Sequence, residues 1–265
     1  MIPTAKKTRL MINILIGEVN MEEFDFNAIP GKIGEDLRAG KERVDRRIAE
    51  IGLAAYEAEV EARKTKEMLE TEMEARIRRA QRIKEMSGLG KKYLDFAFKD
   101  FPINENNKTA YKACFDLSRQ KHPYSRGVVL SGPNGIGKTR LAACIINAIA
   151  QRGHVVYFGN IVDIKNRVCD SFGDIAAAVK RILECDLLII DDLGQEYVRG
   201  DDDSYIRELV YQLVAKLDAD ERGIVITTNL EPKTFAERYK QATLSRLMGM
   251  CDMVVYRDVD HRVTK

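Results

Sequence analysis

Gly127-Val128-Val129-Leu130-Ser131-Gly132-Pro133-Asn134-Gly135-Ile136-Gly137-Lys138-Thr139 is the stretch on which the reading of this chain turns. Gly127 to Leu130 reads as a short buried strand, and Thr139 to Gln151 as a helix with Leu141, Ile145, Ile146 and Ile149 on one face. Between them the spacing Gly, four residues, Gly-Lys-Thr is that of a phosphate loop, in the strand-to-helix context the motif requires. Gly132, Gly135 and Gly137 let the backbone curl so that its N–H groups converge on phosphate oxygens, and the helix N-terminus adds positive potential there. The segment Gly132, Pro133, Asn134, Gly135, Ile136, Gly137, Lys138 and Thr139 is therefore the expected nucleotide cradle. Lys138 is expected to reach the β- and γ-phosphates, and Thr139 to hold Mg²⁺ through its hydroxyl.

Downstream, short apolar runs alternate with helical patterns. His154 to Phe158 reads as a second strand, followed by a helical region from Ile161 to Leu183. Leu187-Leu188-Ile189-Ile190 reads as a third strand, ending in Asp191-Asp192. Ser204 to Asp218 is an amphipathic helix, Gly223 to Thr228 a fourth strand ending at Asn229, and Met253 to Tyr256 a last strand after a helical stretch. The expected fold is α/β, a parallel sheet covered by helices on both faces. Strand ends in such sheets point at the ligand crevice. Asp191 is thus expected to hold Mg²⁺, and Asp192 to orient or deprotonate an attacking water. An amide at Asn229 could bond that water or the γ-phosphate.

Upstream, residues 41–86 hold no Gly or Pro except Gly52, and charges of both signs alternate densely. Val44, Ile48, Ile51, Ala55, Ala58, Ala62, Thr65 and Leu69 follow alternating spacings of four and three, a heptad seam; Met73, Ile77 and Ala80 continue it with a slip. One continuous helix here would be roughly 70 Å long. The alternatives are a long helix or a helical hairpin, in either case one that docks on a partner. Ser87-Gly88-Leu89-Gly90 marks the boundary to the domain that follows, 87–265, and residues 1–40 read as a small docking element or tail. Tyr93, Phe96, Phe98 and Phe101 cluster before Pro102, placed to pack beside a base or under the first helix of the domain.

The chain has 265 residues, 45% of them hydrophobic, enough for one core domain with an appendage. A net charge of +2 leaves nucleic-acid binding to a local patch. The five cysteines are scattered without a Cys-x-x-Cys pair, which argues against a cysteine zinc site and for a reducing compartment. No apolar run approaches the roughly 20 residues that span a bilayer. Leu10 to Ile16 follows basic residues but is interrupted by Asn13 and lacks a cleavage site, so the expected location is cytoplasmic.

Three stretches carry a family resemblance. Gly127 to Ala142, Asp186-Leu-Leu-Ile-Ile-Asp-Asp-Leu-Gly and Ile226-Thr-Thr-Asn-Leu resemble the DnaC-type helicase loaders and the related IstB transposition helpers, AAA+ ATPases of bacteria and phages, over roughly residues 91–265. The resemblance implies an AAA+ core, here without a C-terminal lid domain, that hydrolyses ATP with Mg²⁺ in a ring or spiral homo-oligomer. It implies a replicative DNA helicase (hexameric, DnaB-like) and single-stranded DNA as partners. By the same resemblance Asn229 is sensor 1, Arg246 an arginine finger acting in trans, and Arg262 sensor 2. Asp192 stands where many AAA+ proteins carry Glu, which suggests slow, switch-like turnover. The rival readings are an IstB-like ATPase helper of a transposase, a small-molecule P-loop kinase and a non-catalytic DNA-binding adaptor.

Overall fold

Five short apolar runs pair as a parallel sheet: β1 (Gly127–Ser131), β2 (Val156–Gly159), β3 (Leu187–Leu193), β4 (Ile224–Thr228) and β5 (Cys251–Val255), in the order β2-β3-β4-β1-β5. This computed structural model describes residues 30–168, 175–196 and 201–255. The sheet is buried on both faces, as the near-continuous apolar strands require. Val128, Leu130, Leu187, Ile189 and Val225 enter one core, while Val129, Leu188, Ile190, Ile224 and Ile226 enter the other. That alternation is the period of two of a pleated strand.

Helices fill the two layers. Among the described residues the helices of the whole chain are α1 (Lys32–Ile51), α2 (Leu53–Ser87), α3 (Lys108–Arg119), α4 (Lys138–Ala150), α5 (Ile161–Val168), α6 (Ile175–Ile182), α7 (Asp201–Ala219), α8 (Pro232–Tyr239) and α9 (Gln241–Met250), of which α3 to α9 form these layers. Residues from α3 and α4 build the first core, and residues from α5 to α9 the second. Cys114, Cys144, Cys185 and Cys251 are buried free thiols, and burial pushes Cys144 up to about 11 and Cys185 up to about 12. They pack as small apolar side chains.

One irregularity positions the site. The β3–β4 ladder pairs Ile190 with Ile226 and Leu193 with Thr228, so Asp191 and Asp192 together face Thr227. Two residues opposing one make a bulge. Asp192 takes φ of 52°, in the left-handed region, a strain of about 1–3 kcal/mol for a residue with a Cβ. The sheet order sets β4 between β3 and β1, so Thr227 stands between the two acids and the strand that enters the phosphate loop.

Contacts divide the chain into Met1–Ala75 and Arg76–Lys265, a division that falls within α2. Arg76 Nε donates to the Gln151 carbonyl and Arg79 Nη2 to that of Gly153, and Ala80 and Ser87 are buried, so the last turns of α2 pack with the sheet domain. In the first unit the helical run is not continuous. Gly52 breaks it with φ of 85° and ψ of 152°. Arg47 then meets Glu59, Nη2 to Oε1 at 2.7 Å and Nε to Oε2 at 3.3 Å. On a straight helix residues twelve apart would be separated by roughly 18 Å. The chain therefore bends at Gly52 into two helices, with Arg47 and Glu59 meeting across the bend, so the one-helix alternative does not hold. Leu53, Met68, Leu69 and Met73 are exposed along α2. Of the segment 1–40 expected as a docking element or tail, residues 1–29 lie outside the described residues and 32–40 are the first turns of α1; Arg262 also lies outside the described residues.

A buried carboxylate ties the third strand to the helices after the fourth. The Glu196 side chain is fully buried. It accepts hydrogen bonds from Tyr239 Oη at 2.7 Å, Arg238 Nη2 at 3.1 Å and the Gly194 amide at 2.9 Å. Arg238 also meets Asp203 at 3.1 Å. Removing Glu196 leaves the Tyr239 hydroxyl without its acceptor, while Arg238 keeps Asp203. Glu196→Ala should cost about 3–5 kcal/mol of folding stability in urea unfolding, against a smaller loss for Glu196→Gln, which keeps an acceptor for the Tyr239 hydroxyl. Equal losses for the two variants would show that the charge, not the acceptor, carries the effect.

Candidate nucleotide site

The phosphate loop closes between β1 and α4 through two glycines with positive φ, 81° at Gly135 and 99° at Gly137. Gly137 caps α4, so the helix's unpaired N–H groups open onto the concave side of the loop. Lys138 is buried, and its ammonium donates to the carbonyls of Gly132 and Pro133, both at 2.8 Å. The loop entrance is tied to the end of β4. The Gly132 amide donates to the Thr228 carbonyl at 3.1 Å, and Ser131 Oγ to that of Leu230 at 2.8 Å.

Asp191 faces the loop. Thr139 Oγ1 lies 3.1 Å from both of its carboxylate oxygens. Thr227 Oγ1 donates to Asp191 Oδ1 at 2.6 Å and accepts the Asp192 amide at 2.8 Å. A single hydroxyl thus holds both acids of the bulge. Burial is the main influence on Asp191 and raises its pKa above the usual carboxylate value, against the opposing hydroxyl bonds. The Thr139 hydroxyl and the Asp191 carboxylate are hard oxygen donors side by side, the donor chemistry of a Mg²⁺ site.

A cavity of about 290 Å³ extends from Gly135, Ile136, Gly137, Lys138 and Thr139 to an aromatic wall of Tyr93, Phe96, Phe101 and Pro102, with Asp192 at its edge. Phe98 is not part of that wall; it packs edge-on against Tyr111 and Phe115. The Arg140 guanidinium lies over the Phe96 ring at 4.6 Å and donates to the Asp100 carbonyl at 2.8 Å, fixing the wall to α4. A flat apolar wall next to a phosphate cradle suits a nucleotide, with its base on the rings.

The other expected residues are placed differently. Asn229 is exposed and lines neither this cavity nor a neighbouring one bordered by Asp191, Asp192 and Glu196. Arg246 lies on α9, with Nε 3.5 Å from Asp218 Oδ2 and its guanidinium 5.3 Å from the Tyr211 ring centre. It does not line the cavity of its own chain. Two residues were missed in the sequence. Thr227 reads there as an ordinary β-branched strand residue. Gln195, whose side-chain amide reaches Asn134 Oδ1 at 3.2 Å, joins the turn after β3 to the loop. Only its place just after the paired acids could have drawn attention to it.

The family model described as "IstB-like ATP binding protein" matches residues 42–263. The chain belongs to that family. IstB-like proteins are an ATP-binding family, and the cradle and aromatic wall described above are the features that fit such a ligand here. Among curated relatives, the chromosomal replication initiator protein DnaA of Campylobacter jejuni subsp. jejuni serotype O:6 is 28% identical over 153 residues, 55% of this chain and 34% of that protein. A protein of insertion sequence IS232 from Bacillus thuringiensis subsp. berliner, named for ATP binding, is 28% identical over 120 residues, 44% of this chain and 46% of that protein. This chain thus spans between a third and a half of these relatives' lengths. The solved structure of the DnaC helicase loader superposes with a TM-score of 0.54 at 23% identity, covering 63% of this chain and 99% of that one. The IstB-like chain therefore has the AAA+ P-loop fold of that structure, as expected.

The buried Asp191 charge has a consequence for stability. A carboxylate whose folded pKa is raised destabilises the fold at neutral pH, and the penalty lifts as pH falls towards its ordinary value. Asp191→Asn keeps an acceptor for Thr227 and removes the charge. Without nucleotide or divalent metal it should gain about 0.5–2 kcal/mol at pH 7.5, the common size of such changes, and the gain should shrink on acidification. Denaturant unfolding of both chains from pH 7.5 down towards the ordinary carboxylate range checks this; a gain that grows on acidification contradicts it.

Proposed function

We propose that this IstB-like chain is an ATP-hydrolysing helicase loader of DNA replication. The observation that carries this reading is the presence, in one chain, of a nucleotide site and of N-terminal helices whose apolar side chains are exposed. In this reading ATP sits in the cradle from Gly132 to Thr139. Lys138 leaves the Gly132 and Pro133 carbonyls for the β- and γ-phosphates, an exchange that keeps the buried ammonium paired throughout. Thr139 and Asp191 hold Mg²⁺, which when bound neutralises charge on the phosphate oxygens. Asp192 orients the attacking water, its carboxylate aimed by the strained bulge and its amide anchored on Thr227. Its short side chain suits slow turnover, a switch more than a motor. Asn229, exposed at the end of β4, acts as sensor once nucleotide draws it inward, and Arg262 supports it from the C-terminal segment.

Arg246 completes the site of a neighbouring subunit in a ring or spiral. Its position away from its own cavity supports a role in trans. An always-charged planar guanidinium is suited to the charge that develops on a transferring phosphoryl group. To act there it must leave Asp218 and Tyr211. The N-terminal helices bind a hexameric, DnaB-like replicative helicase, and the assembled cores hold single-stranded DNA mainly through phosphate contacts. The DnaC likeness supports the loader reading at the level of fold.

A second reading has its own support: the IS232 relative and the family description favour an ATPase helper of a transposase. The two share a core and differ in partner. Leu69→Asp with Met73→Asp, both on the exposed face, should abolish co-purification of the replicative helicase at unchanged ATP affinity. A transposase that co-purifies in place of the helicase decides for the second reading. For the ATPase, Lys138→Ala should lower nucleotide affinity at least tenfold. Arg246→Ala should leave affinity unchanged while reducing hydrolysis by the assembly about a thousandfold, the lower end of the range for such fingers. Unchanged turnover removes Arg246 from the site.

A further inference from the structure

At the end of the sheet opposite the phosphate loop, three side chains with metal-binding atoms meet. His154 lies two residues before β2, Asp186 immediately before β3, and His122 in the connection between α3 and β1. All the strands are parallel, so these connections share the N-terminal edge, while the loop and the paired acids follow the C-terminal ends of β1 and β3. His122 Nε2 is 2.9 Å from Asp186 Oδ1, and His154 Nδ1 is 3.7 Å from Asp186 Oδ2. The two imidazoles stack with centres 4.9 Å apart and planes 8° from parallel. Of the three histidines in the chain, two converge on one carboxylate.

We propose that His122, His154 and Asp186 bind a divalent transition-metal ion of the zinc class. Their ligand atoms lie within 4.8 Å of one another. Bonds of 2.0–2.1 Å in a tetrahedron place ligand atoms about 3.4 Å apart. Binding thus requires a closure of roughly an ångström and a rotation of one ring out of the parallel stack, since a metal lies in the plane of each imidazole that holds it; His122, on an exposed connection with 43% of its side chain accessible, is the group placed to supply both by exchanging its bond to Asp186 for the ion. The rest of the cluster is already oriented. Asp186 Oδ2 accepts the Val155 amide at 2.7 Å, and the Asp186 amide donates to the Val155 carbonyl at 2.8 Å, which pins the carboxylate beside His154. The buried Tyr124 ring stands edge-on to His154 at 5.8 Å and backs that imidazole. Such outer contacts are what hold metal ligands in orientation.

The donor set chooses the ion. Two imidazoles and one carboxylate with a fourth position open to water suit Zn²⁺, Co²⁺ or Ni²⁺, whereas Mg²⁺ takes oxygen ligands such as those of Thr139 and Asp191. Arg152 and Arg79 stand near His154. Those two guanidiniums oppose a second cation. Arg152 spends its charge on the Ser118 and Gln120 carbonyls and the Tyr124 hydroxyl, and Arg79 on the Gly153 carbonyl, which moderates but does not remove the repulsion. A bound ion would cross-link the connections entering β1, β2 and β3, and so brace the strands that carry the loop and the acids.

The test uses the full, tag-free chain with saturating Mg²⁺ to fill the oxygen site. Co²⁺ titration should give visible d–d absorption that saturates at one ion per chain, is displaced by Zn²⁺ and is indifferent to further Mg²⁺. Zinc at a hundred times its dissociation constant should raise Tm by about 5 °C. His122→Ala, at an exposed position, should keep the metal-free Tm and lose both the absorption and the zinc-induced rise; His154→Gln should lose them too. Absence of saturable absorption in the natural chain, or full binding by His122→Ala with its fold intact, overturns the site.

Discussion

A single hydroxyl, that of Thr227, governs the geometry of the nucleotide site. It stands on β4 opposite the bulge in β3, gives its proton to Asp191 and receives the amide proton of Asp192. The bulge leaves the Asp192 amide without a ladder partner, and a buried amide without one costs about 1–3 kcal/mol. Thr227 supplies the partner and at the same time turns the Asp191 carboxylate towards Thr139. The strain at Asp192 persists because this bond and the Leu193–Thr228 pairing beyond it leave the backbone no alternative course.

The same economy of contacts runs outward from the site. Thr228 Oγ1 donates to the Leu193 carbonyl at 2.6 Å, its own carbonyl accepts the Gly132 amide, and the Leu230 carbonyl accepts Ser131 Oγ. Three strands are thereby stitched at their C-terminal ends by short polar bonds in an apolar core, where such bonds are strong and their loss expensive. Glu196 extends the stitching to α8 through Tyr239 and Arg238. Helix α9, which bears Arg246, follows α8 after one residue, Lys240, whose φ is 72°. A shift at the turn after β3 therefore has a short, largely buried route to the helix that bears Arg246.

The core of the fold was legible because its signals are local. The loop spacing, the apolar strand runs and the paired acids each occupy a few consecutive residues, and burial on both faces follows from strands without polar alternation. What escaped notice depends on partners distant in sequence. Thr227 acquires its importance only from a bulge on another strand. Gln195 and Glu196 look like ordinary turn residues until Asn134 and Tyr239 are brought to them. Gly52 was visible as the lone break in a helical run, but the direction of the chain beyond it rests on Arg47 finding Glu59. The aromatic cluster divided, with Phe98 turned to the core and Tyr93, Phe96 and Phe101 to the cavity, because a run of rings carries no periodicity that assigns each to a face.

The contact across the bend at Gly52 and the nucleotide site are held by forces that respond to different properties of the solvent. Arg47 and Glu59 meet in open water, where an ionic atmosphere of about 8 Å at physiological salt weakens their attraction. The bonds among Thr139, Asp191 and Thr227 are shielded from that atmosphere by burial. Ionic strength thus becomes a selective handle: raising it loosens the helical appendage while leaving the phosphate cradle in place, so one chain can be tuned at one end without being detuned at the other.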